Sequence, residues 1–294
     1  MKKLFLYAAA SGLLFTSCQK EDSTEATPNS GLKPTPSNSI GPLPTTFVKK
    51  VMIEEFTSTS NGDSPESNDI IYSMLKGGTD RIYHAALHNM DIMSGSQTNR
   101  MMTVFTPNAT TIPCATIDRI RLGGNNYLPT SQYKNAVNSL LVKPATCGLA
   151  MRSSIGKGAA FVEVHAGFNS TSTGTYKVTT YLVEDVVVNA NSAYFQDNSS
   201  NGDPNSNFYN MGNPIIGFQH KNVVRKVLSD DLGDVVTPHI LSNGGKCVLY
   251  YEIDLLNKLG SSSNWKLISF ITDATSNEVL NVQMCELGAL KNWN

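Results

Sequence analysis

The sequence predicts an α/β region followed by an all-β region, and three observations carry that prediction. Val51, Ile53 and Phe56 mark an apolar strand that ends in a polar, Gly-containing turn, after which Pro65 opens a helix. A second short apolar strand, Arg81 to His88, follows that helix, which is the layout of a parallel βαβ unit. Beyond Pro144 the chain reads as strand after strand, with turn residues between them.

A chain of 294 residues is long enough for two domains of ordinary size. Its 40% hydrophobic and 16% charged content is that of a globular protein. A net charge of −1, with no basic stripe interleaved with aromatics, argues against nucleic acid as a partner. The expected organisation is a signal segment over 1–18, a linker over 19–46, an α/β domain over 47–143 and a β-sandwich domain over 144–294.

Lys2 and Lys3 precede an apolar run from Leu4 to Phe15, too short to span a bilayer and laid out as a secretory signal. Leu14-Phe15-Thr16-Ser17-Cys18 resembles a bacterial lipobox, after which Cys18 is lipidated and becomes the mature N-terminus. Gln19-Lys20-Glu21-Asp22 resembles the Lys-plus-acidic signal that sends some Gram-negative lipoproteins to the cell surface. Residues 19–46 are rich in Ser, Thr, Pro, Asn and Gly, and read as a flexible tether. The resulting expectation is an outer membrane lipoprotein, exposed at the cell surface and joined to the membrane through its lipid.

In the α/β region, the first helix runs from about 65 to 76 and stops at Gly77-Gly78. A second helix covers about 95–106, with Met101, Met102 and Phe105 on one side. Thr111-Ile112-Pro113-Cys114 places a proline at the start of a strand, and a last helix over 131–141 buries Tyr133, Val137, Leu140 and Leu141. A strand, a tight turn and a Pro-led helix form the place where a thioredoxin-like domain carries its Cys-x-x-Cys pair. Those two positions fall here on Asn61 and Ser64, so the site is drawn without its sulfurs. Pro113 occupies the place of the cis-proline that such folds set beside the turn.

The all-β region contains strands at about 146–155, 159–167, 175–188, 216–228, 246–255, 265–273 and 278–287. Seven short strands with turn signals between them read as an antiparallel sandwich of immunoglobulin-like form. The insertion from Asn189 to Pro214 interrupts the pattern. Its Asp197 to Asp203 stretch has the oxygens of a calcium loop, but Phe208 stands where the twelfth-position Glu is needed, so it reads as a polar turn cluster. Tyr194, Phe195, Phe208 and Tyr209 make it either an aromatic loop for a protein or glycan ligand, or a cover for the sandwich edge.

Several of these segments together resemble the twenty-eight-kilodalton outer membrane lipoprotein family. They are Ile53-Glu54-Glu55-Phe56-Thr57, the turn ending in Pro65, and Ile112-Pro113 followed by Asp118-Arg119. Downstream come Tyr181 to Asp185, His220 to Arg225 closing on Leu232-Gly233, Phe270 to Asp273 and Glu278 to Asn281. The resemblance covers most of residues 47–288 and implies a thioredoxin-like domain followed by a β-sandwich on a lipid-anchored envelope protein. Many members keep a Cys-x-x-Cys at the first turn, and this chain departs from them there.

The departure decides the chemistry. Thiol–disulfide exchange needs an attacking thiolate and a second sulfur to resolve the mixed disulfide, and neither Asn61 nor Ser64 supplies one. The degenerate site therefore comprises Asn61, Ser64, Pro65, Pro113 and Cys114, with no catalytic residue. Cys114 is the one thiol expected near the turn, and a neighbouring helix N-terminus would lower its pKa, although a small buried hydrophobe fits the strand better. Asn61 and Ser64 are expected to cap the helix that follows. Cys114, Cys147, Cys247 and Cys285 allow three full disulfide pairings, with buried free thiols as the alternative. No cysteine pair has metal-ligand spacing, and His84 and His88 lie about 13 Å apart along one strand face, so no metal or cofactor is expected. The functional expectation is a non-enzymatic binding or scaffold module. A thiol-dependent oxidoreductase or chaperone using Cys114, and a glycan-binding surface protein, are the alternatives.

Overall fold

The computed structural model describes residues 39–293, apart from 78–79, 107–111, 123, 126, 157, 169–173, 237–244 and 256–263. The signal segment, Cys18 and most of the tether lie outside the described residues.

The chain opens with strand β1 (Val51–Thr57), helix α1 (Ser64–Lys76), strand β2 (Ile82–His88), helix α2 (Thr98–Phe105), strand β3 (Cys114–Ile117) and helix α3 (Tyr133–Leu141). It continues with β4 (Cys147–Ile155), β5 (Ala159–Phe168), β6 (Tyr176–Val187), β7 (His220–Val227), β8 (Asp234–Val236) and β9 (Lys246–Asp254). Strands β10 (Trp265–Asp273), β11 (Val279–Glu286) and β12 (Leu290–Lys291) complete it. The fold is mostly β with few helices, and its sheets are mixed.

β1 pairs in parallel with β2 and antiparallel with β3. These three strands continue into the larger sheet, because β2 pairs in parallel with β7 at Ala86 and Val223. The order across that sheet is β11-β10-β6-β7-β2-β1-β3, with β8 also on β6. A second sheet, β12-β4-β5-β9, packs on it.

Three apolar clusters hold these layers. Val162, Val164, Cys247 and Leu249 of the second sheet meet Leu182, Leu267 and Ile271 of the first. Helix α2 contributes Met101 and Phe105 to a cluster containing Met52, Phe56, Tyr181 and Phe270, which draws on β1 and on β6 and β10 alike. Helices α1 and α3 cover the remaining face through Ile71, Tyr133, Val137 and Leu140. Each fully buried large apolar side chain contributes roughly 1.5–3 kcal/mol to holding these layers together.

The strand β1 alternates less than a half-exposed strand would, since all seven of its residues are buried. Glu54 and Glu55 are therefore internal charges, and each has a partner. Arg119 grips both oxygens of Glu54 at 2.6 and 2.7 Å, and Tyr181 donates to the same carboxylate at 2.6 Å. The Arg119 guanidinium lies 3.5 Å from the centre of the Phe105 ring. Ser67 donates to Glu55 at 2.6 Å, and His84 sits 3.2 Å from its other oxygen.

Candidate functional site: a closed turn without thiols

The turn between β1 and α1 is held from below by its own hydroxyls. Thr57 donates to Ser64 at 2.9 Å, and Ser64 donates to the carbonyl of Ser58 at 3.2 Å. Ser64 and Pro65 are buried in the first turn of α1. The cap expected of Asn61 and Ser64 does not form: Asp63 is the N-cap residue and makes no side-chain cap bond. The physical reason is that both polar side chains have other partners. Ser64 already lies inside the helix, and the Asn61 carboxamide bridges two segments. Its Oδ1 accepts from the Asp63 amide at 2.9 Å, and its Nδ2 donates to the carbonyl of Ile112.

Ile112 precedes Pro113 through a cis peptide bond, so the structure brings Asn61, Ser64, Pro65, Pro113 and Cys114 to the same end of β1 and β3. Cys114 faces Phe56 across the β1–β3 ladder and is buried. Burial, and then the charge of Glu55, push its thiol up to about 12. That reverses the lowering expected from a nearby helix N-terminus, because desolvation of a thiolate outweighs a distant dipole. Cys114, Cys147 and Cys285 are free and buried, so none of the three two-bridge pairings forms.

The residues that sequence reasoning missed lie in the 189–214 insertion. At its start it folds back on the sandwich strands, where Tyr194 packs against Val187 and Val223, and beyond that it lies across the β1–α1 turn as a strap. The Gln196 carboxamide donates to the carbonyls of Asn61 at 2.8 Å, Thr59 at 3.1 Å and Ser58 at 3.3 Å. Main-chain bonds run alongside, from Asp197 to the Thr59 carbonyl at 2.8 Å and from Ser199 to the Gly62 carbonyl at 2.9 Å. Gly62 is needed at the contact, since a Cβ there would lie 2.2 Å from the Ser199 hydroxyl oxygen.

Further along, Ser206 donates to Glu66, and Asn207 donates to Asp69 at 2.9 Å, so the strap also lies on α1. Asn198 organises the strap internally, donating to the carbonyls of Phe208 and Gly212 at 2.9 and 3.0 Å. Two of its aromatic residues serve packing, while Tyr209 is exposed. Tyr194 joins Met93, Val187 and Val223, and Phe208 meets Phe218. A polar stretch without periodicity carries no signal for a contact of this kind, although Asn198 and Asn201 at turn positions hint at internal order.

A second polar cluster flanks the turn. His88 lies 2.7 Å from Asp91, whose carboxylate also accepts the Thr59 amide at 2.8 Å. Burial alone would raise the Asp91 pKa, but the hydrogen bond and charge of His88, with the amides of Thr59 and Met93, hold it below its ordinary value. His220 stacks edge-on against His88, its Nε2 lies 2.8 Å from the Tyr194 carbonyl, and burial pushes its pKa down to about 4. Among the described residues, no three His, Cys, Asp or Glu side chains are grouped to hold a metal ion.

Fold and site thus define a β-rich, mixed-sheet protein whose strand–turn–helix site lacks thiols and is closed by its own chain. The model of the outer membrane protein Omp28 family matches residues 102–291, and the chain belongs to that family. Its location is accordingly the outer membrane. Among the described residues, no helix is long and apolar enough to cross a membrane.

Among solved structures, the chain is similar to HBP35 of Porphyromonas gingivalis at 16% identity and a TM-score of 0.65, covering 82% of this chain and 76% of that one. That likeness concerns the fold alone. A domain of the outer membrane lipoprotein Omp28 from Porphyromonas gingivalis matches at 13% identity and a TM-score of 0.30, over 51% of this chain and 92% of that one. No curated protein matches the chain.

Proposed function

We propose that this protein is a surface-exposed lipoprotein, anchored through Cys18, in which a redox-inactive thioredoxin-like domain and an immunoglobulin-like sandwich act together as a non-enzymatic binding or scaffold module. The thioredoxin-like reading rests on the β1-α1-β2 unit, the antiparallel β3 beside β1, and the cis-proline facing the turn. The sandwich reading rests on the apolar layer between the two sheets.

The observation that carries the functional reading is the seating of Gln196 on the carbonyls of the Asn61 turn. A redox site must admit a substrate disulfide to a thiolate. Here the turn offers a carboxamide and a hydroxyl, and the strap fills the approach. The nearest thiol, Cys114, is buried with its pKa raised.

Insulin reduction in the presence of dithiothreitol tests this with the wild type and Cys114→Ala. Neither is expected to accelerate insulin precipitation over buffer. Robust activity in the wild type that disappears in Cys114→Ala would overturn the reading in favour of a thiol-dependent oxidoreductase or chaperone. The anchor is tested separately. Cys18→Ala is expected to release the protein from the membrane fraction, and continued membrane association would remove lipidation from the account.

A further inference from the structure

On the α3 side of the molecule, away from the strapped turn, a cavity of about 580 Å³ opens between three segments. They are the loop after β3 (Arg119 to Leu122), the C-terminal end of α3 (Ser139 and Lys143) and the β10–β11 turn (Thr275 to Glu278). Its size lies within the range of small-molecule sites, roughly 300–1,000 Å³.

The walls are fixed from behind. Asp118 and Arg119 both adopt positive φ, 47° and 53°. Asp118 points inward to Lys49 at 2.6 Å and Arg119 to Glu54. With those two side chains held inside, the loop continues through half-buried Ile120 to the exposed Arg121 and Leu122. The Val279 amide donates to the Asp118 carbonyl at 2.8 Å and ties the β10–β11 turn to that loop. Asp273 in turn accepts from the amides of Thr275 and Ser276 at 2.9 and 2.8 Å, which sets the shape of the turn.

The lining has a definite chemistry. Ile120 and Leu122 supply an apolar side, and Ser139, Thr275, Ser276 and Asn277 supply small polar groups. Lys143 is 3.5 Å from Glu278, so those two charges offset each other. Arg121 is exposed, and among the described residues it has no ion-pair partner. That leaves one uncompensated guanidinium facing a polar and apolar cavity, the arrangement that binds a carboxylate in bidentate fashion. The small polar and apolar groups beside it suit the hydroxyls and the C–H face of a sugar ring.

We infer that this cavity is a binding site for an acidic monosaccharide unit, with Arg121 pairing its carboxylate and Thr275 to Asn277 facing its hydroxyls. The inference gives the binding module proposed above a ligand class, and rests on that reading only for its biological use.

Isothermal titration of the full mature chain with sodium glucuronate, glucose and inorganic phosphate tests it, since glucuronate and glucose differ at the carboxylate. Glucuronate is expected to bind at least about tenfold more tightly than glucose. That preference should vanish in Arg121→Ala. Equal binding of glucose, preferential binding of phosphate, absence of glucuronate binding, or a preference that survives Arg121→Ala would each overturn it. Should Arg121→Ala fail to fold, Arg121→Gln retains polar donors without the charge and is expected to lose the preference as well. Insulin reduction is a separate readout, so failure here is distinguishable from failure of the redox-inactive reading.

Discussion

The side-chain amide of Gln196 donates to the main-chain carbonyl of Asn61 at 2.8 Å, across 135 residues of sequence. It also reaches the carbonyls of Ser58 and Thr59, and is itself almost fully buried. A polar turn that would otherwise face solvent thus has its acceptors satisfied by the insertion. Gln196→Ala is expected to destabilise the protein by about 2 kcal/mol, because it strands buried acceptors. Gln196→Glu is expected to cost more, since it sets a carboxylate against carbonyl oxygens. Urea denaturation midpoints of the three proteins check both the sign and the order.

The Glu54–Arg119 pair predicts a different pattern. Both side chains are buried, and Tyr181 shares the carboxylate. Arg119→Met leaves Glu54 buried without its cation and is expected to cost roughly 3–5 kcal/mol. Removing both charges with Glu54→Gln in the same chain is expected to cost less than the sum of the single changes. A double-mutant cycle by denaturant unfolding measures that coupling.

Two groups give opposite pH dependences. His220 has its pKa lowered to about 4 by burial, against the hydrogen bond to Tyr194, so the folded protein keeps it neutral while the unfolded chain takes up a proton below its ordinary 6.5. Its contribution is fully present above that value and declines as pH falls towards 4. Asp118 is raised to about 6 by burial, which outweighs Lys49 at 2.6 Å. The folded protein therefore holds a proton that the unfolded chain releases near 3.8, and its contribution declines as pH rises from about 4 to about 6. His220→Gln is expected to flatten the acid-side loss of stability, and Asp118→Asn the opposing slope. Melting temperatures at half-unit pH steps resolve the two.

Cys114 predicts a reactivity. With the thiol buried and pushed up to about 12, alkylation of the native protein by iodoacetamide at pH 8 is expected to be negligible at this residue and to become complete in urea. Peptide mapping by mass spectrometry reads both states.

Much of the framework was legible because apolar periodicity reports burial. The strand around Val162-Val164 alternates, Leu267 to Ile271 form a short buried run, and α1 begins where Pro65 permits. The short strands β8 and β12 escaped notice because three and two residues carry no period. The joining of β2 to β7 rests on one register pair, Ala86 with Val223, a contact between distant segments to which local pattern is blind.

The charges of Glu54 and Glu55 interrupt an otherwise apolar run, and only the placement of Arg119 and His84 explains their burial. At the candidate site, the missing sulfurs at Asn61 and Ser64 were plain in the sequence. The closure was not, because Gln196 and Ser199 act through main-chain carbonyls, and those are the same for every residue type.

The closure of the turn is tested most directly by hydrogen exchange read out by mass spectrometry on peptides covering 195–200 and 58–64. The amides of Asp197 and Ser199, bonded to Thr59 and Gly62, are expected to exchange at least about a hundredfold more slowly than in an unstructured peptide, and to lose that protection in Gln196→Ala. Exchange of the 195–200 amides at the unstructured rate in the wild type would show the turn to be open, and would contradict the account.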